Sequence, residues 1–250
     1  MLSWFIEKNK KLSGGLERLL PQAFTRSFLY LHETKVKELA ASSKDALIVD
    51  VGGGKSSLYG DAVNRSAGSQ LLGLDISLSE LQQNKDVDFK IVANAASSLP
   101  LKPQSVDIIV TRSVIEHLSD VDTFIDEAYS ALKPNGIFIN VLPCKFSPFS
   151  AANQILPNSV ARFLLFLFHP AWKSEVGFRS YYDKCYHAAM MKSLSRRGFT
   201  VIEMKVRYYQ SIYYNFFFPL YLLFVIYDMI IWTFKLQNLG AQLYFIARKG

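Results

Sequence analysis

Apolar residues recur along this chain in two rhythms. Leu12, Leu16, Leu19 and Leu20, then Phe24, Phe28 and Leu31, return at helical spacing across residues 2–40. Pro21 separates this stretch into two helices, because the residue before a proline is pushed out of the α region. From residue 46 the rhythm changes. Ala46–Val51, Leu71–Asp75, Phe89–Val92, Val106–Val110 and Ile137–Leu142 are short runs, apolar almost throughout, and each reads as a strand. Runs that do not alternate with polar residues fit parallel strands buried on both faces. Asp120 is placed to cap a helix with Val121, Phe124, Ile125, Ala128 and Leu132 on its apolar side, stopped by Lys133-Pro134-Asn135-Gly136. Tyr186–Arg197 reads as a later helix ended by Gly198, followed by strands at Thr200–Val206 and Ala241–Ala247. Strands interleaved with helical stretches predict an α/β fold: a Rossmann-like, doubly wound, mostly parallel sheet with a C-terminal antiparallel strand and helical insertions.

Two segments break the alternation. Residues 144–181 form a long insertion containing the apolar run Val160–Phe168. Residues 208–238 contain Phe216–Phe234, with Asp228 as its one charge and Pro219 as its one proline. The expected organisation is one domain over 1–250: N-terminal helices at 1–44, a core at 45–143, the 144–181 insertion, and the 208–238 apolar aromatic insertion before the last strand. A chain of 250 residues is long enough for one large α/β core. The length of Phe216–Phe234 approaches the roughly 20 residues that cross a bilayer. Its proline, its acid and its aromatics favour an interfacial element instead. The last strand must return to the same sheet, so both ends of the segment must stay on one side, and a dipping hairpin is expected. A buried core or dimer helix pair is the alternative.

Charge adds a direction. The net charge is +7. Residues 1–40 and 201–250 each carry an excess of three positive charges, while the middle is nearly neutral. Basic flanks beside aromatics suit an anionic membrane surface; they also suit nucleic acid or an ordinary solvated surface. No nucleic-acid partner is predicted. Cys144 and Cys185 are too few for a disulfide framework and show no metal-ligand spacing, so a reducing compartment is expected: cytoplasmic, peripheral on the membrane. Met1–Lys11 mixes charges around Trp4, Phe5 and Ile6 and lacks the long apolar run of a secretory signal.

The candidate chemistry sits at strand ends. Asp50-Val51-Gly52-Gly53-Gly54 closes the first strand, where glycines let the backbone turn tightly and approach a ligand. Asp75 closes the second, placed to accept hydrogen bonds from ribose hydroxyls. Either feature alone has a plain structural reading, a strand-to-helix turn or a helix cap. Together they fit any adenosyl cofactor, NAD included. His117 has two readings, a general base for an acceptor hydroxyl or a residue that shapes the pocket. His32, His169 and His187 form no motif, and Asp183 and His187 lie ahead of a late helix near the expected substrate side.

The order of these pieces is more specific. Asp50–Gly54, Asp75, Leu99-Pro100-Leu101 before Ser105–Val110, Ile115-Glu116-His117-Leu118 and Leu132–Gly136 together resemble the class I S-adenosylmethionine-dependent methyltransferases, in the branch that includes quinone-biosynthesis enzymes. The resemblance covers about residues 45–143. It implies S-adenosylmethionine as cofactor, with Asp50, Gly52, Gly53 and Gly54 holding the methionine part, Asp75 the ribose, Ile76 the adenine face, and Asn94 and Ala95 the region of the adenine amino group. Arg112 and Ser113 would lie under the cofactor. The chain departs from the family pattern at Ser56, where a third glycine is usual, and at Asn94, where an acid is usual. Some quinone O-methyltransferases carry a metal-binding glutamate at the position of Ser113, so no metal is expected. Both insertions follow strands that end on the cofactor side. Their apolar character points to a small, lipophilic or lipid-linked acceptor. An NAD-dependent oxidoreductase and a non-catalytic membrane-associated protein of the same fold are the alternatives.

Overall fold

The structure, a computed structural model, describes residues 2–168 and 179–250; residues 169–178 of the first insertion, His169 among them, lie outside the described residues. The N-terminal helices are α1 (Leu2–Glu17), α2 (Gln22–Thr25) and α3 (Phe28–Ser42). Pro21 does separate two helical stretches, and Ser27 caps α3 by accepting from Tyr30 N. The strands are β1 (Leu47–Val51), β2 (Gln70–Asp75), β3 (Phe89–Val92), β4 (Val106–Arg112), β5 (Leu132–Pro143), β6 (Phe199–Arg207) and β7 (Gln242–Lys249). They form one sheet in the order β3-β2-β1-β4-β5-β7-β6. Strands β1 to β5 pair in parallel, and β7 runs antiparallel to both β5 and β6. This is the Rossmann-like arrangement expected from the apolar runs. β1 shows why: Ile48, Val49 and Val51 are almost fully buried, and β-branched residues suit a pleat packed on both faces.

The remaining helices are α4 (Leu78–Gln83), α5 (Val121–Ala131), α6 (Pro148–Ile155), α7 (Asn158–Phe168), α8 (His187–Arg197) and α9 (Phe218–Thr233). Asp120 caps α5 as its sequence predicts, accepting from Thr123 N at 3.1 Å. Gly198 ends α8 with φ of +100°, a left-handed position that glycine adopts without a Cβ penalty.

Two expectations need correction, and one connection has no predicted element. Leu132 belongs to β5 rather than to the face of α5, and the Lys133–Gly136 turn is an irregularity inside that strand, between the pairs Val106–Leu132 and Ile108–Ile137. The β1–β2 crossover is not an α-helix; it consists of 3₁₀ turns at Gly60–Ala62 and Arg65–Ala67. Finally, Phe216–Phe234 is no dipping hairpin. Phe218–Thr233 is a single helix, with Pro219 in its first turn, where the missing N–H has no intrahelical partner to lose. Asp228 does not face solvent. Its Oδ2 is buried and accepts from Gln210 N at 2.8 Å, Ser211 N at 2.9 Å and Ser211 Oγ at 2.5 Å, which ties α9 to the exit of β6. Among the described residues, no helix is long and apolar enough to cross a membrane.

Candidate active site

The sheet reverses its winding between β1 and β4. Open α/β sheets bind ligands at such a point, beyond the carboxyl ends of the strands. A cavity of about 860 Å³ lies there, within the roughly 300–1,000 Å³ range of small-molecule sites.

Its floor comes from strand ends. Gly52 leaves β1 with φ of +80°, and its N–H donates to Leu74 O at 2.7 Å. A Cβ here would stand 2.3 Å from Val114 Cγ2, so β1 and the end of β4 touch only because no side chain intervenes. Gly54, with φ of +45°, donates its N–H to Asp75 Oδ2 at 3.0 Å. The other oxygen, Asp75 Oδ1, accepts from Ser77 N at 2.8 Å. A carboxylate offers about four acceptor positions, so Asp75 keeps capacity for two more donors. That number fits a ribose diol, and the glycine cradle fits a ligand pressed against backbone. Asp75, Ile76, Asn94, Ala95, Arg112, Ser113 and His117 all line this cavity, as do Gly52 and Gly54.

Asp50 and Gly53 do not line it. Asp50 is buried behind the loop, where its Oδ2 accepts from Ser57 Oγ at 2.6 Å. Burial, above all, raises its carboxyl to about 7, with the Ser57 hydrogen bond acting against that and Asp75 adding to it. Gly53 presents its carbonyl to Asn84 Nδ2 at 3.0 Å, and Gly54 does the same at 3.1 Å. Asn84, fully buried after α4, thus pins the loop from behind, a role with no signal in the sequence. Glu80 was also missed: its Oε2 lies 3.3 Å from where a Gly54 Cβ would be, beside Asp75 at the cavity wall. Its position one turn into α4 is visible only once Ser77 is known to cap that helix.

The roof comes from both insertions. Phe149, Ala152 and Asn153 of α6, Phe168 of α7, and Tyr213, Phe216 and Leu220 around the start of α9 face the same cavity. Rings stack across the two insertions: Phe149 on Tyr213 at 4.2 Å and Phe168 on Phe216 at 3.9 Å. His117 lies between floor and roof, its Nδ1 3.0 Å from Arg179 O and 3.3 Å from Ser180 Oγ. Its pKa is lowered by burial, partly offset by the Arg179 carbonyl. Asp183 and His187 take other places: Asp183 accepts from Val121 N at the start of α5, and His187 opens α8. His32 is buried under the sheet, against Tyr59 Oη at 3.3 Å.

A family profile described as a methyltransferase domain matches residues 49–140. That segment carries the glycine loop, Asp75 and the end of β4, on the sheet order described above. The chain is 28% identical over 139 residues to a probable S-adenosylmethionine-dependent methyltransferase of Mycolicibacterium smegmatis, covering 53% of this chain and 52% of that protein. A ubiquinone biosynthesis O-methyltransferase of Chelativorans sp. is 28% identical over 123 residues, covering 46% and 47%. The chain therefore spans about half the length of the curated relatives it matches. A geranyl diphosphate C-methyltransferase from Streptomyces coelicolor has the same fold, with a TM-score of 0.56 at 12% identity, over 88% of this chain and 80% of that one. The matched 49–140 segment contains the whole glycine loop and Asp75, whereas both insertions lie beyond it.

Proposed function

We propose that this chain transfers a methyl group from S-adenosylmethionine to a small lipophilic acceptor at a membrane surface. The observation that carries the reading is the two-part cavity, a polar floor of strand ends under an aromatic roof from two insertions. Bound there, the cofactor supplies an electrophilic methyl group. Asp75 would accept from the ribose hydroxyls, Ile76 would pack on adenine, and Asn94 and Ala95 would border its amino group. Gly52 and Gly54 admit the methionine part; Asp50 and Gly53 act from behind, by holding the loop. Arg112 and Ser113 close the floor, and His117 fixes the Arg179–Ser180 wall. An aromatic roof favours an acceptor with a ring or an unsaturated chain. That agrees with the names of similar proteins, a geranyl diphosphate C-methyltransferase and a ubiquinone biosynthesis O-methyltransferase.

The membrane part of the reading rests on α9. At 1.5 Å per residue its 16 residues run about 24 Å. One side packs inward through Tyr221, Val225, Asp228 and Ile231. The other exposes Leu223, Ile226, Ile230 and Phe234, the first 60% and the last 70% accessible. The cavity opens beside the start of this helix, and Arg26, Lys205 and Lys235 line a groove beside its end. Exposed apolar residues next to cations suit an anionic bilayer surface.

The test uses S-adenosylmethionine carrying a labelled methyl group, incubated with the protein and a total lipid extract. Label is expected in the organic phase, and at subsaturating cofactor Asp75→Ala should lower its transfer about tenfold or more. Label that enters only water-soluble compounds would defeat the lipophilic reading.

A further inference from the structure

Glu116 is a buried acid with no structural explanation. It sits in the 3₁₀ turn Ile115–His117 that follows β4, held by the buried Ile115 and Leu118. The residue is 4% exposed and lines the cavity, yet its Oε2 has no hydrogen-bond partner among the described residues. Its backbone carbonyl is occupied, accepting from Tyr181 N at 2.8 Å and Tyr182 N at 3.0 Å. The turn is therefore fixed by main chain and apolar side chains, and the one contact of the carboxyl group is with its own backbone N–H. Among the described residues, no lysine or arginine forms an ion pair with it. A buried polar atom without a partner costs stability, so a methionine would serve the fold better. Such atoms gather where a ligand completes them.

We propose that Glu116 is a catalytic residue that takes the proton from a phenolic or enolic hydroxyl of the acceptor. This rests on the methyltransferase reading and narrows it to O-methylation. The acceptor O–H bond breaks, its electron pair stays on oxygen, and the proton moves to Glu116 Oε2. The freed oxygen is then the nucleophile toward the methyl group. Stacked rings lining the same cavity, Phe149 on Tyr213, suit a flat acceptor. The acidity also matches. Burial raises Glu116 to about 8, closer to the roughly 10 of a phenol than to any aliphatic alcohol. The titratable groups around it are Tyr182 and Cys185 on one side, Tyr213 with Arg207 behind it on another, and His117 next in sequence. Burial raises both tyrosines and the thiol and lowers the imidazole, so none of these four titrates in the same range.

The experiment compares wild type with Glu116→Gln, Glu116→Asp and Glu116→Leu. The probe acceptors are a geranylated catechol and its nitro derivative, which is already ionised at neutral pH. On the plain catechol, Glu116→Gln should lose about 10²–10⁴-fold in single-turnover rate. Its residual rate should climb with pH past the point near 8 where wild type levels off. On the nitrocatechol, which needs no base, it should come within threefold of wild type. Glu116→Asp, which keeps a carboxylate, should lie between. Without cofactor, fluorescence quenching should show the plain catechol binding about tenfold more weakly to Glu116→Leu and unchanged to Glu116→Gln. Wild-type-like turnover of plain catechol by Glu116→Gln would overturn the proposal. So would an equal loss on both acceptors, which would make the residue structural. Failure of wild type to methylate either catechol also overturns it, and calorimetric binding of S-adenosylmethionine then shows whether the methyltransferase reading itself survives.

Discussion

Replacing Gly52 with alanine tests the contact on which the cavity floor depends. Two costs can be separated. The first is conformational: φ of +80° lies in the left-handed region, and an L-residue there costs about 1–2 kcal/mol. The second is steric. The new methyl would stand 2.3 Å from Val114 Cγ2, where carbon atoms prefer about 3.5–4.0 Å, so the loop and the end of β4 must separate by more than about 1 Å. Overpacking of that kind costs about 1–3 kcal/mol. Gly52→Ala should therefore lose about 2–5 kcal/mol. Val114→Ala removes the clashing atom but not the backbone strain. In that background the glycine substitution should cost only about 1–2 kcal/mol, leaving a coupling of about 1–3 kcal/mol. Urea unfolding followed by circular dichroism gives all four stabilities. A single-mutant loss below about 0.5 kcal/mol, or the same loss with and without Val114, would refute the reasoning.

Asp75→Ala should weaken S-adenosylmethionine binding about tenfold or more, because hydrogen bonds to a charged acceptor contribute about 1.5–3 kcal/mol each; calorimetry reads this directly. Burial holds the Asp50 carboxyl near 7, so the folded protein binds that proton more tightly than the unfolded chain does. The stability this provides is present below the ordinary carboxylate value near 4 and is lost as pH rises through about 7; Asp50→Asn should flatten that slope in thermal melts between pH 4 and 8. Activity should survive EDTA, since a serine, Ser113, stands where some relatives place a metal-binding glutamate, and His117 Nδ1 faces the Arg179 carbonyl; loss with EDTA and recovery with magnesium would contradict this. Wild type should float with vesicles containing phosphatidylglycerol, and Leu223→Asp/Ile230→Asp should float less; equal recovery in the soluble fraction would remove α9 from any membrane role.

The sheet was legible because β-branched runs such as Leu47–Val51 have few other places to go than a doubly covered interior. Asp120 and Gly198 were legible because a cap depends on local chemistry. The failures are tertiary. Nothing local in Lys55–Ser69 says that this crossover forsakes an α-helix. Part of what fixes it is the distant Asp86 and Asp45, which crowd Gly60 and Gly68 respectively. The hairpin expectation rested on returning both ends to one side, with Pro219 and Asp228 counted against a crossing. In the fold the proline starts the helix, and the aspartate finds donors at Gln210 and Ser211, eighteen and seventeen residues earlier. At the site, Asp75 carried its own signal through spacing from the glycine turn. Glu116 stood in plain view beside His117, but its burial and its unpartnered oxygen emerge only when the 179–182 segment folds over it.

The central claim is that the cavity floor is a site for S-adenosylmethionine, and titration calorimetry tests it most directly. S-adenosylmethionine and S-adenosylhomocysteine should both bind wild type with one-to-one stoichiometry, NAD should give no heat of binding, and Asp75→Ala should weaken both ligands in parallel. Binding of NAD in their place, or S-adenosylmethionine affinity untouched by Asp75→Ala, would contradict the account.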